Sequence, residues 1–253
     1  MLSNMSATKW SAKQLESHCK AVRRLESVKD DTFAFLKARK YVTEHEVQQF
    51  ALDRFRTHGL VKRDNFPLIV AFGPNSDDPH HFPKPKGSLR LRPNTLVMLD
   101  LWGNLPGSSM PFGDITWMAF HGSKVPAQIQ KVFDTVIHAR NSAIEQAKRK
   151  LRDGKMPTGA EIHAAAEGVI RRCRFGKYIK HRTGHSIGTR SPHGYGPHVN
   201  NKNDSPLLTN VGYTIEPGIY LPGRFGVRSE MNFVIQNGRF QPTTGLQKKL
   251  VLL

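Results

Sequence analysis

The sequence predicts a mixed α/β (α+β) fold in two similar halves around one site, on three observations. Apolar residues at helical spacing alternate with short β-branched and aromatic runs, and a helix, helix, strand, strand order occurs twice along the chain. The acidic residues and the histidine best suited to chemistry fall in strand-like or Gly/Pro-punctuated segments. At 253 residues the chain is long enough for one large domain or two smaller halves with a substantial core.

The first ten residues, MLSNMSATKW, have neither the basic start nor the apolar stretch of a secretory signal and are read as a tail, 1–10, before a single domain over 11–253. Residues 11 to 39 carry helical periodicity, with Leu15, Cys19, Val22 and Leu25 on one stripe that should bury the Cys19 thiol. Thr43 with Glu46 is a capping box, two side chains satisfying exposed amides at the start of a second helix whose apolar face is Val47, Phe50, Ala51 and Phe55. A short strand, Leu68 to Phe72, leads into the polar loop GPNSDDPHHFPKPKGS, and two strands follow, TLVMLDLWG and DITWMAFHG.

From about Pro126 to Arg152 the stripe Ile129, Val132, Val136, Ile137, Ile144 and Leu151 describes a long amphipathic helix stopped by Asp153 and Gly154. Thr158 with Glu161 caps the next helix, through about Cys173. The pattern then changes to strands and turns: GYTIEPGIYLPG, FGVRSEMNFVI, a turn at Asn237 and Gly238, and a closing strand near Leu250. There is no tandem repeat of about 20 to 50 residues and no low-complexity linker.

Composition narrows the function. No apolar run approaches the ~18 residues needed to cross a bilayer, so a membrane-spanning role is excluded. Two cysteines, Cys19 and Cys173, cannot make a disulfide framework and show no metal-ligand spacing, which fits a reducing, cytoplasmic compartment. The formal charge of +18 points to an anionic partner such as RNA, a ribosome or a lipid surface. The basic residues fall in two clusters, Lys148, Arg149, Lys150, Arg152 and Lys155, then Arg171, Arg172, Arg174, Lys177, Lys180 and Arg182. Neither is interleaved with the aromatics of a base-stacking platform, so solvated helix faces are the simpler reading and a weak RNA or ribosome contact the alternative.

Asp100, Asp114, His185, Glu216 and Glu230 carry the chemistry. Asp100 in Leu-Asp-Leu and Asp114 in Gly-Asp-Ile-Thr are flanked by residues a strand would bury, where a charge is costly unless paired or bound to metal. His185 lies in RTGHSIG, where paired glycines allow close backbone approach. Glu216 precedes Pro217-Gly218, and Glu230 follows Arg228 by two, a period that puts both side chains on one strand face and lets the guanidinium orient the carboxylate. Several carboxylates and one imidazole suit two divalent cations a few Å apart, with Mn, Co, Fe or Zn as the candidate metals.

These segments resemble the M24 metallopeptidases of the pita-bread fold, from about residue 15 to the C-terminus. TGHSIG, IEPGIYLPG and GVRSE are closer to the aminopeptidase P and prolidase (Xaa-Pro peptidase) branch than to methionine aminopeptidase, and NSDDPHHFP is similar to that branch's segment with a substrate-side histidine. The resemblance implies two pseudo-symmetric halves, a curved, mainly antiparallel sheet covered by helices, and a catalytic domain without the separate N-terminal domain of its full-length relatives. It also implies that Asp100 chelates one metal, Asp114 and Glu230 bridge both, and His185 with Glu216 completes the other, with Mn the first choice. Glu216 would shuttle the proton of the bridging water, and His80, preferred over His81, would face the substrate with His193 and Arg228. The expected activity is hydrolysis of the N-terminal bond of Xaa-Pro peptides by a homodimer, the alternatives being methionine removal or a non-catalytic RNA- or ribosome-binding module. Two spacings depart from the family: Asp100 to Asp114 is longer, making GNLPGSSMPFG an extended loop near the site, and the segment from His185 to His193 is longer by about one residue.

Overall fold

The computed structural model describes residues 9–39 and 41–253, so the first eight residues of the expected tail lie outside the described residues. Helix α1 (Ala12–Ala38) begins at Ser11, whose hydroxyl accepts from the Gln14 amide while the Gln14 side chain accepts from the Ser11 amide. The same reciprocal box opens α2 (Glu44–Thr57) at Thr43 and Glu46. Helix α3 (Ala127–Arg152) follows Pro126 and stops at Asp153, with Gly154 in the left-handed region at φ +69°. Helix α4 (Gly159–Arg172) starts on the Thr158 and Glu161 box. No helix among the described residues is long and apolar enough to cross a membrane.

Helices α1 and α2 pack on a four-stranded sheet of β1 (Ile69–Phe72), β2 (Thr95–Gly103), β3 (Gly113–His121) and β9 (Val251–Leu252), in the order β1-β2-β3-β9. The first two pairings are antiparallel, and only β9 runs parallel to its neighbour. Strands β1 and β2 are buried almost throughout, which is why their sequences read as apolar runs rather than alternating patterns. The second half adds α3 and α4, a sheet of β4 (Gly212–Ile215), β7 (Met231–Gln236) and β8 (Arg239–Pro242), and the hairpin of β5 (Gly218–Leu221) and β6 (Phe225–Arg228). The result is the mixed, antiparallel-rich α/β architecture that the sequence predicts.

Three expectations change. Cys19 is half-buried, because the turn beneath it turns Ser17 and His18 inward, and His18 bridges the Phe112 carbonyl and the Thr243 hydroxyl at 2.7 Å each. Trp10, placed with the tail, is buried: its ring fills the space over Gly212 and its amide donates to the Asn210 carbonyl at 2.5 Å. Strand β8 is an addition; Asn237 and Gly238, at φ +49° and +68°, form the left-handed two-residue turn of a β7–β8 hairpin and so require a returning strand.

Candidate metal centre

The register of β2 and β3 sets Asp100 opposite Thr116 and Trp102 opposite Asp114. Cross-strand partners share a face, as do residues two apart, so both carboxylates and the indole project to one side of the sheet. The Asp114 backbone is held from the other half: the Asn232 side chain, fully buried in β7, accepts from its amide at 3.0 Å and donates to its carbonyl at 2.7 Å. The loop between β2 and β3 reaches the His185 segment, where the Phe112 amide donates to the Gly188 carbonyl at 3.0 Å.

His185 is laid along β4. The Thr214 amide donates to the His185 carbonyl at 2.8 Å, and the His185 amide donates to the Thr214 hydroxyl at 3.0 Å. A Cβ on Gly184 would come within 2.1 Å of the Thr214 carbonyl oxygen, so the close approach needs glycine there. The Thr214 hydroxyl donates in turn to Glu216 Oε1 at 3.1 Å, while the Glu216 amide donates to the Thr183 carbonyl at 2.6 Å before Pro217 ends β4. Glu230 lies between β6 and β7, where its amide reaches the Thr116 carbonyl at 3.3 Å and its Oε2 accepts from the Thr116 hydroxyl at 2.9 Å.

Arg228 does not pair with Glu230. The chain runs on from β6 to β7 in one register through Ser229, whose amide bonds to the Pro217 carbonyl, so both side chains do share a face, but the Thr116 hydroxyl stands between them, bonded to each. The buried guanidinium instead donates to Asp100 Oδ2, the Thr116 hydroxyl at 3.0 Å, the Tyr220 hydroxyl at 3.1 Å and the Pro79 carbonyl at 3.2 Å.

All five candidate ligands line one cavity of about 290 Å³, with His80, His193 and Arg228. Asp114, His185 and Glu230 form its tight group, each offering one ligand atom within 4.8 Å of the others. Burial, followed by the neighbouring carboxylates, raises the Asp114 and Glu230 carboxyls well above their usual range. Burial raises Asp100 as well, with Arg228 opposing. His185 falls to about 3, chiefly by burial. Its Nδ1 lies 3.0 Å from the Ser186 carbonyl, so a proton on that nitrogen donates there and the Nε2 lone pair faces Glu216 Oε1 at 3.3 Å and Asp114 Oδ2 at 3.6 Å. A lone pair aimed at carboxylates repels them unless a cation lies between. Asp100 Oδ1 and Glu230 Oε1 are also buried without a hydrogen-bond partner. The donor set therefore fits a divalent cation.

His80 is exposed at the cavity rim, whereas His81 turns to Glu44, with Nε2 3.3 Å from Oε2. Glu44, fully buried at the start of α2, accepts from the amides of Phe72 and Leu89 and from the Asn75 side chain, which pins both ends of the loop that carries His80. The His193 ring stands edge-on to His185 with centroids 4.3 Å apart. Part of its surface opens outward, yet desolvation, followed by the nearby His185, lowers its pKa to about 4. Sequence reading passed over Glu44, Thr116, Thr214, Tyr220 and Asn232. Only Thr116 and Thr214 leave a local signal, as hydroxyls two residues from a candidate ligand on the same strand face.

The model of metallopeptidase family M24 matches residues 16–237. The Xaa-Pro dipeptidase of Lactobacillus delbrueckii subsp. lactis is 30% identical over 219 residues, covering 87% of this chain and 55% of that protein. The X-Pro aminopeptidase from Thermotoga maritima MSB8 superposes with a TM-score of 0.87 at 26% identity, covering 100% of this chain and 66% of that one. A recombinant prolidase from Thermococcus sibiricus gives 0.84 at 26% identity, covering 97% and 62%. The chain spans about half the length of the curated relatives it matches.

Proposed function

Because the chain belongs to metallopeptidase family M24, we propose that it hydrolyses the N-terminal peptide bond of peptides, with Xaa-Pro the favoured sequence. Asp100, Asp114, His185, Glu216 and Glu230 would hold two divalent metal ions, Mn first among Mn, Co, Fe and Zn. The carrying observation is the convergence of Asp114, His185 and Glu230 within 4.8 Å in a buried cavity where Asp100 Oδ1 and Glu230 Oε1 have no hydrogen-bond partner. The relatives named for Xaa-Pro activity support the substrate class.

Bound divalent ions would supply Lewis acidity, acidifying a water molecule and polarising the scissile carbonyl. Glu216, held by the Thr214 hydroxyl, takes the proton of the attacking water and returns it to the leaving amine. His193, kept neutral near pH 7 by its lowered pKa, donates a ring N–H to the carbonyl oxygen as charge develops there, and His80 at the rim orients the peptide. Arg228 keeps Asp100 in place through a buried ion pair. We place this activity in the cytoplasm, in a homodimer, with the basic surface contributing at most a weak polyanion contact.

The test is hydrolysis by chelator-stripped protein before and after adding Mn or Co, with metal stoichiometry recorded. Cleavage of Xaa-Pro peptides but not Met-Ala peptides, restored at about two metals per chain, is the expected outcome. One metal per chain at full activity would reject the dinuclear centre, and cleavage of Met-Ala peptides alone would move the activity to methionine removal.

A further inference from the structure

A larger cavity, of about 650 Å³, shares no lining residue with the candidate metal centre. It is lined by Arg90, Arg92 and Arg224 and by no acidic residue. Its apolar walls are Phe72, Leu89, Leu96, Ile129 and Phe225. The size suits one small molecule, since ligand pockets in proteins span about 300–1,000 Å³.

Local structure places the arginines. Arg90 and Arg92 flank Leu91, which is buried and whose amide donates to the Val42 carbonyl at 2.8 Å. With Leu91 turned inward, period-two alternation puts both arginines on the outward face. His121 Nδ1 lies 2.8 Å from the Arg92 carbonyl and steadies the chain there. Arg224 comes from the turn between β5 and β6, where its amide donates to the Leu221 carbonyl at 3.0 Å. The apolar side is fixed as well. Glu44 accepts from the amides of Phe72 at 2.7 Å and Leu89 at 2.9 Å, so two of the walls are held in place without a ligand.

None of the three guanidiniums makes an ion pair among the described residues. Arg224 donates to the neutral Gln128 side chain, which leaves its charge uncompensated. Acids of the neighbouring segments are engaged elsewhere. Glu46, beside Arg90, accepts from the Thr43 amide at 2.7 Å and from the Thr43 hydroxyl at 2.8 Å. Asp77 accepts from the Gly223 amide and lies 3.8 Å from the Lys180 ammonium. Helix α3 adds to the same field, because Ile129 belongs to its first turn, which has no acidic residue and no side-chain cap.

Three such guanidiniums around apolar walls suit a ligand with several negative charges at one end and a ring at the other. A lone carboxylate would satisfy one arginine, whereas a diphosphate can meet all three through paired hydrogen bonds. The ring would cover Leu89, a large apolar side chain left 37% exposed. We propose that this cavity binds a phosphorylated small molecule of the nucleoside diphosphate class. The proposal is independent of the peptidase reading, because no residue of the candidate metal centre lines the cavity.

The experiment is calorimetric titration of the metal-loaded protein with ADP, adenosine, pyrophosphate and a short single-stranded RNA. It is run on wild type, Arg90→Gln, Arg92→Gln and Arg224→Gln, with Arg172→Gln, exposed on α4, as the control for net charge. ADP should bind about tenfold more tightly than adenosine or pyrophosphate, and each cavity variant should weaken it about tenfold, as the loss of one charge-assisted hydrogen bond does. Arg172→Gln should leave ADP affinity unchanged. All four positions are exposed, and circular dichroism checks that the variants stay folded. Pyrophosphate bound as tightly as ADP would mean an adventitious ion only, and an equal loss in Arg172→Gln would mean attraction by net charge alone. ADP affinity that survives the three cavity variants and disappears when metal is stripped would place ADP at the metal centre. RNA bound more tightly than ADP through the same arginines would make the cavity part of a polyanion surface. Any of these outcomes, or no ADP binding at all, overturns the proposal.

Discussion

Thr116 shows how much of the site depends on residues without metal-binding chemistry. Its hydroxyl accepts from Arg228 and donates to Glu230, so one side chain orients a carboxylate of the second half while steadying the guanidinium that holds Asp100. Replacing it by Val keeps the shape and removes both bonds. Loss of such an outer hydrogen bond costs about 10- to 100-fold in metal affinity or activity, and Thr116→Val should fall in that range with the fold retained. Glu230→Ala and Asp114→Ala should instead abolish turnover. Metal titration followed by peptide hydrolysis checks the three together, and near-wild-type rates in either alanine variant after metal is restored would reject the ligand assignment.

The decisive contact between elements is that of β3 with β7. Asn232 substitutes for a strand partner at Asp114, satisfying both its backbone amide and its carbonyl, while its own amide donates to the Thr244 hydroxyl at 2.9 Å. Each buried polar group left without a partner costs about 1–3 kcal/mol. Asn232→Ala should therefore lower unfolding free energy by about 2–5 kcal/mol in urea titrations and weaken metal binding through the displaced Asp114. A loss below about 1 kcal/mol would mean that β3 is positioned by its sheet alone.

For the whole molecule, the site joins the two halves. Asp100 and Asp114 come from the first, and His185, Glu216 and Glu230 from the second, so a metal ion bound between them stabilises the native chain by mass action, about 2.7 kcal/mol when free metal is one hundred times Kd. The sign of the pH dependence follows from the carboxyls. Asp114 and Glu230 hold protons above the ordinary carboxylate range. In metal-free protein their stability contribution is thus greatest at low pH and is lost as pH rises through the raised folded values. Metal needs the ionised forms, so affinity rises with pH across that window. The increase in Tm on adding Mn should be larger at pH 8 than at pH 6, as scanning calorimetry would show. An increase independent of pH would mean that those carboxyls are already ionised without metal.

The element signals were legible because they are local. Two capping boxes, the long stripe of α3 and the strand runs around Asp100 and Asp114 appear in the helices and strands they indicate, since a cap or a periodicity needs only neighbours in sequence. The five candidate ligands were legible for a related reason: carboxylates inside apolar strands, and an imidazole between glycines, conflict with their surroundings unless something binds them. Other features had no local signal. Arg228 was expected to hold Glu230 but reaches Asp100, because the Thr116 hydroxyl from β3 stands between the guanidinium and the Glu230 carboxylate. Glu44, an ordinary first-turn glutamate in sequence, becomes the buried anchor of the His80 loop only once β1 lies beside α2. The sequence by itself determined which residues could bind a metal and which elements carry them. The tertiary structure alone decided which carboxylate meets which partner and what walls the cavity, because hydrogen bonds and desolvation act between groups brought together from distant parts of the chain.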